Sequence, residues 1–178
     1  MRSFVVVLLT GCLFGCKSSK SRITAEEMEA FNKLIETKVF EIESTTAYPQ
    51  LTFATSQLFD AQLLPPGSNA GAISLIGNSN FLKIKQDSVI SYLPYFGERQ
   101  MHVGYGGQDS AIEFNGTMKD YSVKENRNKS KTISFNAKSN AEPFLVTITL
   151  FPNLTSRITL NSASRFFISY QGTVSSIE

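Results

Sequence analysis

The chain opens on the apolar run Phe4-Val5-Val6-Val7-Leu8-Leu9, with Arg2 ahead of it. The run is far shorter than the about 20 residues a helix needs to cross a bilayer. A positive start before a short apolar run predicts a signal peptide. The polar stretch Lys17-Ser18-Ser19-Lys20-Ser21-Arg22 then reads as a tether that holds a folded domain off a membrane. Next the pattern turns helical. Met28, Phe31, Ile35 and Val39 fall on one stripe, with Glu26, Glu27, Glu29 and Lys33 off it. Thr24 and Glu27 at its head have the spacing of a capping box, each satisfying the other's free backbone amide. At Phe40-Glu41-Ile42-Glu43 the period drops to two, so the helix is predicted to run straight into a strand.

Alternation then dominates to the C-terminus. Phe81 to Lys85 and Val89 to Leu93 flank Gln86-Asp87, the signature of a tight hairpin. Ile112, Phe114 and Gly116 alternate with polar neighbours, as do Ile133, Phe135 and Ala137. Phe144, Val146, Ile148 and Leu150 form one face of what reads as the longest strand, which turns at Pro152-Asn153. Ile158 and Leu160 return, and Phe166, Ile168 and Tyr170 close the chain. Strands spaced about ten residues apart with polar turns predict a mainly β fold, an antiparallel β-barrel or sandwich meander of about 8–10 strands with one N-terminal amphipathic helix packed on it. One-faced alternation puts one side of each strand on a core and the other in water. Tyr48 to Ala72 breaks the rhythm. It carries Leu58, Phe59, Leu63 and Leu64 and ends in Pro65-Pro66-Gly67, too long for an ordinary turn, so it is expected to cover one mouth or face.

Composition narrows the class. With 178 residues, 42% apolar and 18% charged, the chain suits one globular domain. Seventeen basic residues against fifteen acidic leave no basic field of the kind that holds nucleic acid, so no nucleic-acid partner is expected. Both cysteines, Cys12 and Cys16, lie in the leader, each after a glycine: Leu9-Thr10-Gly11-Cys12 and Leu13-Phe14-Gly15-Cys16. With no thiol downstream there is nothing for them to crosslink. A cysteine after such a run resembles a bacterial lipobox, whose thiol is lipidated and becomes the first mature residue. Leu-Thr-Gly-Cys is the better match, but a cut at Cys12 leaves a very short signal. Cys16 is therefore the expected lipidation site and Cys12 the alternative. The division that follows is residues 1–15 signal peptide, 16–23 polar tether and 24–178 one β-rich domain. No acidic run follows the cysteine, so the expected place is the outer membrane, facing the periplasm.

The middle of the chain carries a resemblance. Leu93-Pro94-Tyr95-Phe96-Gly97, Gly104-Tyr105-Gly106-Gly107, Phe114-Asn115-Gly116 and Ile168-Ser169-Tyr170-Gln171-Gly172 resemble a family of small Bacteroidetes lipoproteins catalogued as domain-of-unknown-function family 4251. The turn Pro152-Asn153-Leu154 departs from it, since the family usually has glycine after the asparagine. The resemblance implies an envelope compartment and a β-rich fold. It brings no activity and no assigned residues.

Candidate chemistry is sparse. His102 is the only histidine, and nothing near it has the form of a nucleophile elbow. One histidine and no mature cysteine leave a transition-metal site without its usual ligands, so neither metal nor cofactor is expected. Gly104-Tyr-Gly-Gly has no helix behind it to aim amides at a phosphate. Lys124, Arg127, Lys129 and Lys131 crowd a hairpin tip, read as a solvated turn. Two carboxylates are enough for glycan hydrolysis, and Asp109, Glu113 and Asp120 are the candidates, which keeps an envelope hydrolase as the alternative. The leading expectation is a non-catalytic binding or structural module whose partner is an apolar ligand or an envelope protein. Its candidate surface is Tyr95, Phe96, Arg99 and Tyr105, where Pro94 and Gly97 should end or bulge a strand and turn rings outward. Aromatics with an arginine are common ingredients of binding hot spots.

Overall fold

The computed structural model describes residues 23–53, 56–57, 65–69, 71–100 and 111–177. Among the described residues a helix, α1 (Ala25–Thr37), precedes eleven antiparallel strands: β1 (Val39–Pro49), β2 (Ile73–Ser74), β3 (Phe81–Lys85), β4 (Ser88–Pro94), β5 (Ala111–Ile112), β6 (Asn115–Thr117), β7 (Lys119–Glu125), β8 (Lys131–Ser139), β9 (Glu142–Leu150), β10 (Thr155–Asn161) and β11 (Ile168–Ser176). They form one sheet in the order β5-β4-β3-β1-β11-β10-β9-β8-β7, with β2 added to β1 and β6 to β4. The expected mainly β meander with one leading helix is the fold. The strand count exceeds expectation because β2 and β5 are two-residue pairings too short to leave a periodic signal.

The capping box forms as its spacing predicts. Glu27 N donates to Thr24 Oγ1 at 3.1 Å, and Thr24 N donates to Glu27 Oε2 at 2.8 Å. Phe31 and Ile35 are buried. The stripe stops before Val39, however. Lys38 adopts the left-handed conformation (φ 52°), ends the helix and starts β1 in the next residue. Burial then alternates along β1, β8, β9 and β10, and the inward residues join one apolar core with Phe31, Phe40, Ile42, Leu82, Phe114, Phe135, Ile148 and Tyr170. The longest strand is β1, not the Phe144–Leu150 segment. Ile112, Phe114 and Gly116 do not share a strand: β5 and β6 are separated by residues 113 and 114. Phe114 instead donates its N–H to Ser91 Oγ (3.0 Å) and sets its ring edge-on to Phe144, centroids 5.6 Å apart. Phe166 lies just ahead of β11. The Gln86-Asp87 hairpin between β3 and β4 is as predicted, with Gln86 at φ 55°.

The sheet curls around this core but does not close. β4 carries β6 on its free edge and β8 carries β7, and the chain crosses between the two edges at Met118. β1 and β11 form the central pair, and their register shifts between Ser44 and Thr46. Gly172 sits at that bulge. A Cβ there would lie 1.9 Å from Glu43 O, so only glycine allows the two backbones this approach. Of the expected covering segment between β1 and β2, residues 54, 55, 58–64 and 70, with Leu58, Phe59, Leu63 and Leu64 among them, lie outside the described residues.

Candidate functional site

The two ends of the curled sheet differ. At one, β4 ends at Pro94 and β11 begins at Ile168. Here the Leu93–Gly97 run and the Ile168–Gly172 run meet. Tyr170 Oη donates to Pro94 O at 2.9 Å, and Tyr95 Oη lies 2.7 Å from Glu98 O and 2.9 Å from Phe166 O. Proline ends the strand as expected, but Tyr95 folds inward. It is only 6% exposed, and Gly97 makes room for it, since a Cβ there would stand 2.5 Å from its hydroxyl. Burial pushes the Tyr95 hydroxyl up to about 12, with the neighbouring Arg165 acting in the opposite direction. Burial also raises Tyr170.

Arg165 organises this end. Its Nε donates to Glu142 Oε2 at 2.9 Å, while Ser162 Oγ donates to the carboxylate's other oxygen. The guanidinium lies 5.1 Å from the Tyr95 ring centroid and 5.8 Å from that of Phe144. Arg99 pairs with Arg165 as an isolated β-bridge, and Phe166 N and Gln100 N donate to Glu98 O and Ser164 O. Of the predicted surface, then, Tyr95 is a core ring, Phe96 is half-buried against the core and Arg99 is stitched to the β10–β11 connection. Turned inward, the Tyr95 hydroxyl reaches the carbonyl of residue 166 and adds to the bond that Glu98 O already accepts from Phe166 N, so its polar atom is satisfied on burial. Tyr105, His102, Asp109 and the Gly104–Gly107 turn lie outside the described residues, as do Cys12 and Cys16.

The other end is where α1 enters β1 and where the β9–β10 turn returns. Between the helix flank and the sheet runs a groove of about 680 Å³. Phe31 and Leu34 of the helix and Val174 of β11 give it an apolar floor. Ile23 and Ala30 stand on the helix side, Pro152 and Leu154 on the other. Leu154, at φ 61°, occupies the turn position where glycine had been expected, and Val174 N donates to its carbonyl at 2.9 Å, which keeps this wall in place. Ile23 and Leu154 are about two-fifths exposed. The volume falls in the roughly 300–1,000 Å³ range of small-molecule sites.

No sequence expectation pointed to this groove. The signal was present but secondary: Ile23, Ala30 and Leu34, spaced seven and four apart, form a second apolar stripe beside Met28, Phe31 and Ile35. The opposite wall could not be read, because it comes from a turn and a strand end more than a hundred residues away. Other candidates stay scattered. Asp120 accepts from Asn136 Nδ2 at 2.8 Å, and Glu113 is exposed at the β5–β6 break. At the basic tip, Glu125 pairs with Lys131 (2.6 Å) and Lys129 (3.1 Å), whose hydrogen bonds lower its pKa. Among the described residues no three His, Cys, Asp or Glu side chains gather in a way that could hold a metal.

In overall shape the chain is similar to the crystal structure of a DUF4251 family protein from Bacteroides eggerthii. The TM-score is 0.56 at 12% identity, over 85% of this chain and 89% of that one, a likeness of fold. No curated protein matches the chain. The model of the family described as a domain of unknown function (DUF4251) matches residues 23–174, which takes in α1, both latched runs and both walls of the groove, and the chain belongs to that family.

Proposed function

We propose that this protein is a membrane-anchored envelope lipoprotein, lipidated at Cys16, that acts as a non-catalytic binding module with its ligand site in the groove beside α1. The observation that carries the reading is the groove itself: an apolar floor of Phe31, Leu34 and Val174 between the helix and the β9–β10 turn, open to solvent, with polar side chains such as Thr24, Lys33 and Asn153 also in its lining. Of its polar lining, Thr24 and Glu27 are engaged in the helix cap and Thr37 Oγ1 donates to Leu34 O, which favours holding a ligand over transforming it. Ile23, which follows the tether in the sequence, lines the groove.

Mass spectrometry of the full chain extracted from bacterial membranes tests both parts. The expected result is a co-purifying apolar small molecule that Leu34→Glu loses, together with a fatty-acyl label that Cys16→Ser loses. A chain that carries no such molecule, or carries it equally with Leu34→Glu, overturns the binding reading. A label lost from Cys12→Ser but kept by Cys16→Ser moves the anchor to the other cysteine.

A further inference from the structure

We infer that a second pocket, on the outer face of the sheet, binds a phosphate group through Arg157. The β9–β10 turn, β10 and β11 enclose about 250 Å³ there, lined by Phe151, Asn153, Thr155, Ser156, Arg157 and Gln171. Along β10 burial alternates, with Ser156 and Ile158 facing the core and Arg157 facing solvent. Gln171, opposite Arg157 in the β10–β11 ladder, is exposed on the same face. The pocket shares Asn153 with the groove but does not depend on what the groove holds.

Which hydrogen-bonding groups are already used decides the ligand. Asn153 Oδ1 accepts from Thr155 N at 3.3 Å and from Thr155 Oγ1 at 2.7 Å. Gln171 Oε1 accepts from Tyr48 Oη at 3.2 Å. Both amide oxygens are therefore occupied, while Asn153 Nδ2 and Gln171 Nε2 have no partner among the described residues. The Arg157 guanidinium likewise has no ion pair, hydrogen bond or ring contact among them. Backbone carbonyls of the turn are engaged too: Phe151 O accepts from Leu154 N, and Thr155 O from Phe151 N. Of the outward-facing side-chain oxygens in the lining, that of Thr155 alone keeps room to accept. The pocket thus offers three sets of N–H donors and one positive charge.

No neighbouring carboxylate cancels that charge. Thr149 and Gln171 flank Arg157 across its two ladders, and Thr155 and Thr159 stand on either side of it along β10. The first carboxylate met across β11 is Glu43, opposite Thr173 and two strand spacings, about 10 Å, away. Donors around an uncompensated cation select an oxyanion. The guanidinium fork takes two of its oxygens, and the two amides take the rest. Three donor groups suit the oxygens of a phosphate better than the two of a carboxylate. Arg157 and Gln171 are exposed, so an ester substituent can stay in solvent.

The test uses the full chain in dodecyl maltoside, a detergent without phosphate, and equilibrium dialysis of radiolabelled inorganic phosphate. Saturable uptake of one phosphate per chain is expected, unaffected by chloride at matched ionic strength. Arg157→Gln should weaken it about tenfold or more, as removal of hydrogen bonds from a charged donor does. Arg157→Lys should recover only part, since an ammonium lacks the fork. Gln171→Glu, which turns a donor into a carboxylate, should abolish uptake, and thermal melts should show all three exposed-site variants folded. Glycerol phosphate and phosphatidic acid mixed into the micelle separate the two sources. The one that displaces the label at lower concentration tells a soluble ester from a lipid headgroup, and displacement by either supports the site. Absence of saturable uptake, uptake undiminished in Arg157→Gln or Gln171→Glu, or displacement by acetate as readily as by the phosphate esters overturns the proposal.

Discussion

The two ends of this sheet solve one problem in opposite ways. A curled sheet leaves its core open at both mouths. The Pro94–Ile168 end is shut by polar links: two tyrosine hydroxyls on backbone carbonyls, a buried arginine on a glutamate, and a two-strand stitch between residues 98–100 and 164–166. The α1 end is covered by apolar contact from Phe31 and Ile35, and a round helix on a flat rim leaves a trough along its flank. Polar closure depends on every partner being present, because each buried group left alone costs its full desolvation. Apolar cover tolerates a gap, and that gap is where a ligand fits. The aromatic run that promised a surface thus became structure, and the helix that promised structure borders the site.

That contrast can be broken from either side. The largest effect should come from the pair both ends depend on. Gly172→Ala drives a Cβ into the backbone of residue 43, and we expect a loss of about 4 kcal/mol or more by urea denaturation; a loss under about 1 kcal/mol would mean that the central register shifts freely. Next comes the polar end. Glu142→Gln leaves the Arg165 guanidinium buried without its counter-charge and should cost about 3–5 kcal/mol. A near-neutral result would show that this pair is not what shuts the mouth.

Tyr95→Phe removes the donor to the carbonyls of residues 98 and 166, for about 1–3 kcal/mol. It should also change the alkaline limb of stability. The Tyr95 hydroxyl ionises near 10 when unfolded and only at about 12 when folded. Its contribution is complete below pH 10 and is lost as pH rises from about 10 to 12. Thermal melts across that range should fall for the wild type and fall less for Tyr95→Phe. Equal slopes would mean that Tyr95 is not held neutral by the fold. The smallest effect belongs to the apolar end. Thr24→Ala deletes the helix cap and should cost about 1 kcal/mol by urea denaturation. A cost as large as that of Glu142→Gln would erase the distinction between the two mouths.

Local pattern was enough to determine the capping box at Thr24 and Glu27, the Gln86-Asp87 hairpin, the inward faces of β8, β9 and β10, and the all-antiparallel class, because each depends on residues a few positions apart. Pro94 ended its strand for the same reason: a missing N–H is a property of the residue itself. Only tertiary structure decided which way Tyr95 turned, since the carbonyl of residue 166 that claims its hydroxyl is 71 positions away. It also decided that Arg165 would meet Glu142, and that Gly172 would be indispensable through contact with Glu43. The groove belongs to the same class. Its helix wall left a faint stripe in the sequence, but a cavity exists only where two walls face each other, and Leu154 and Val174 face α1 because the sheet curls.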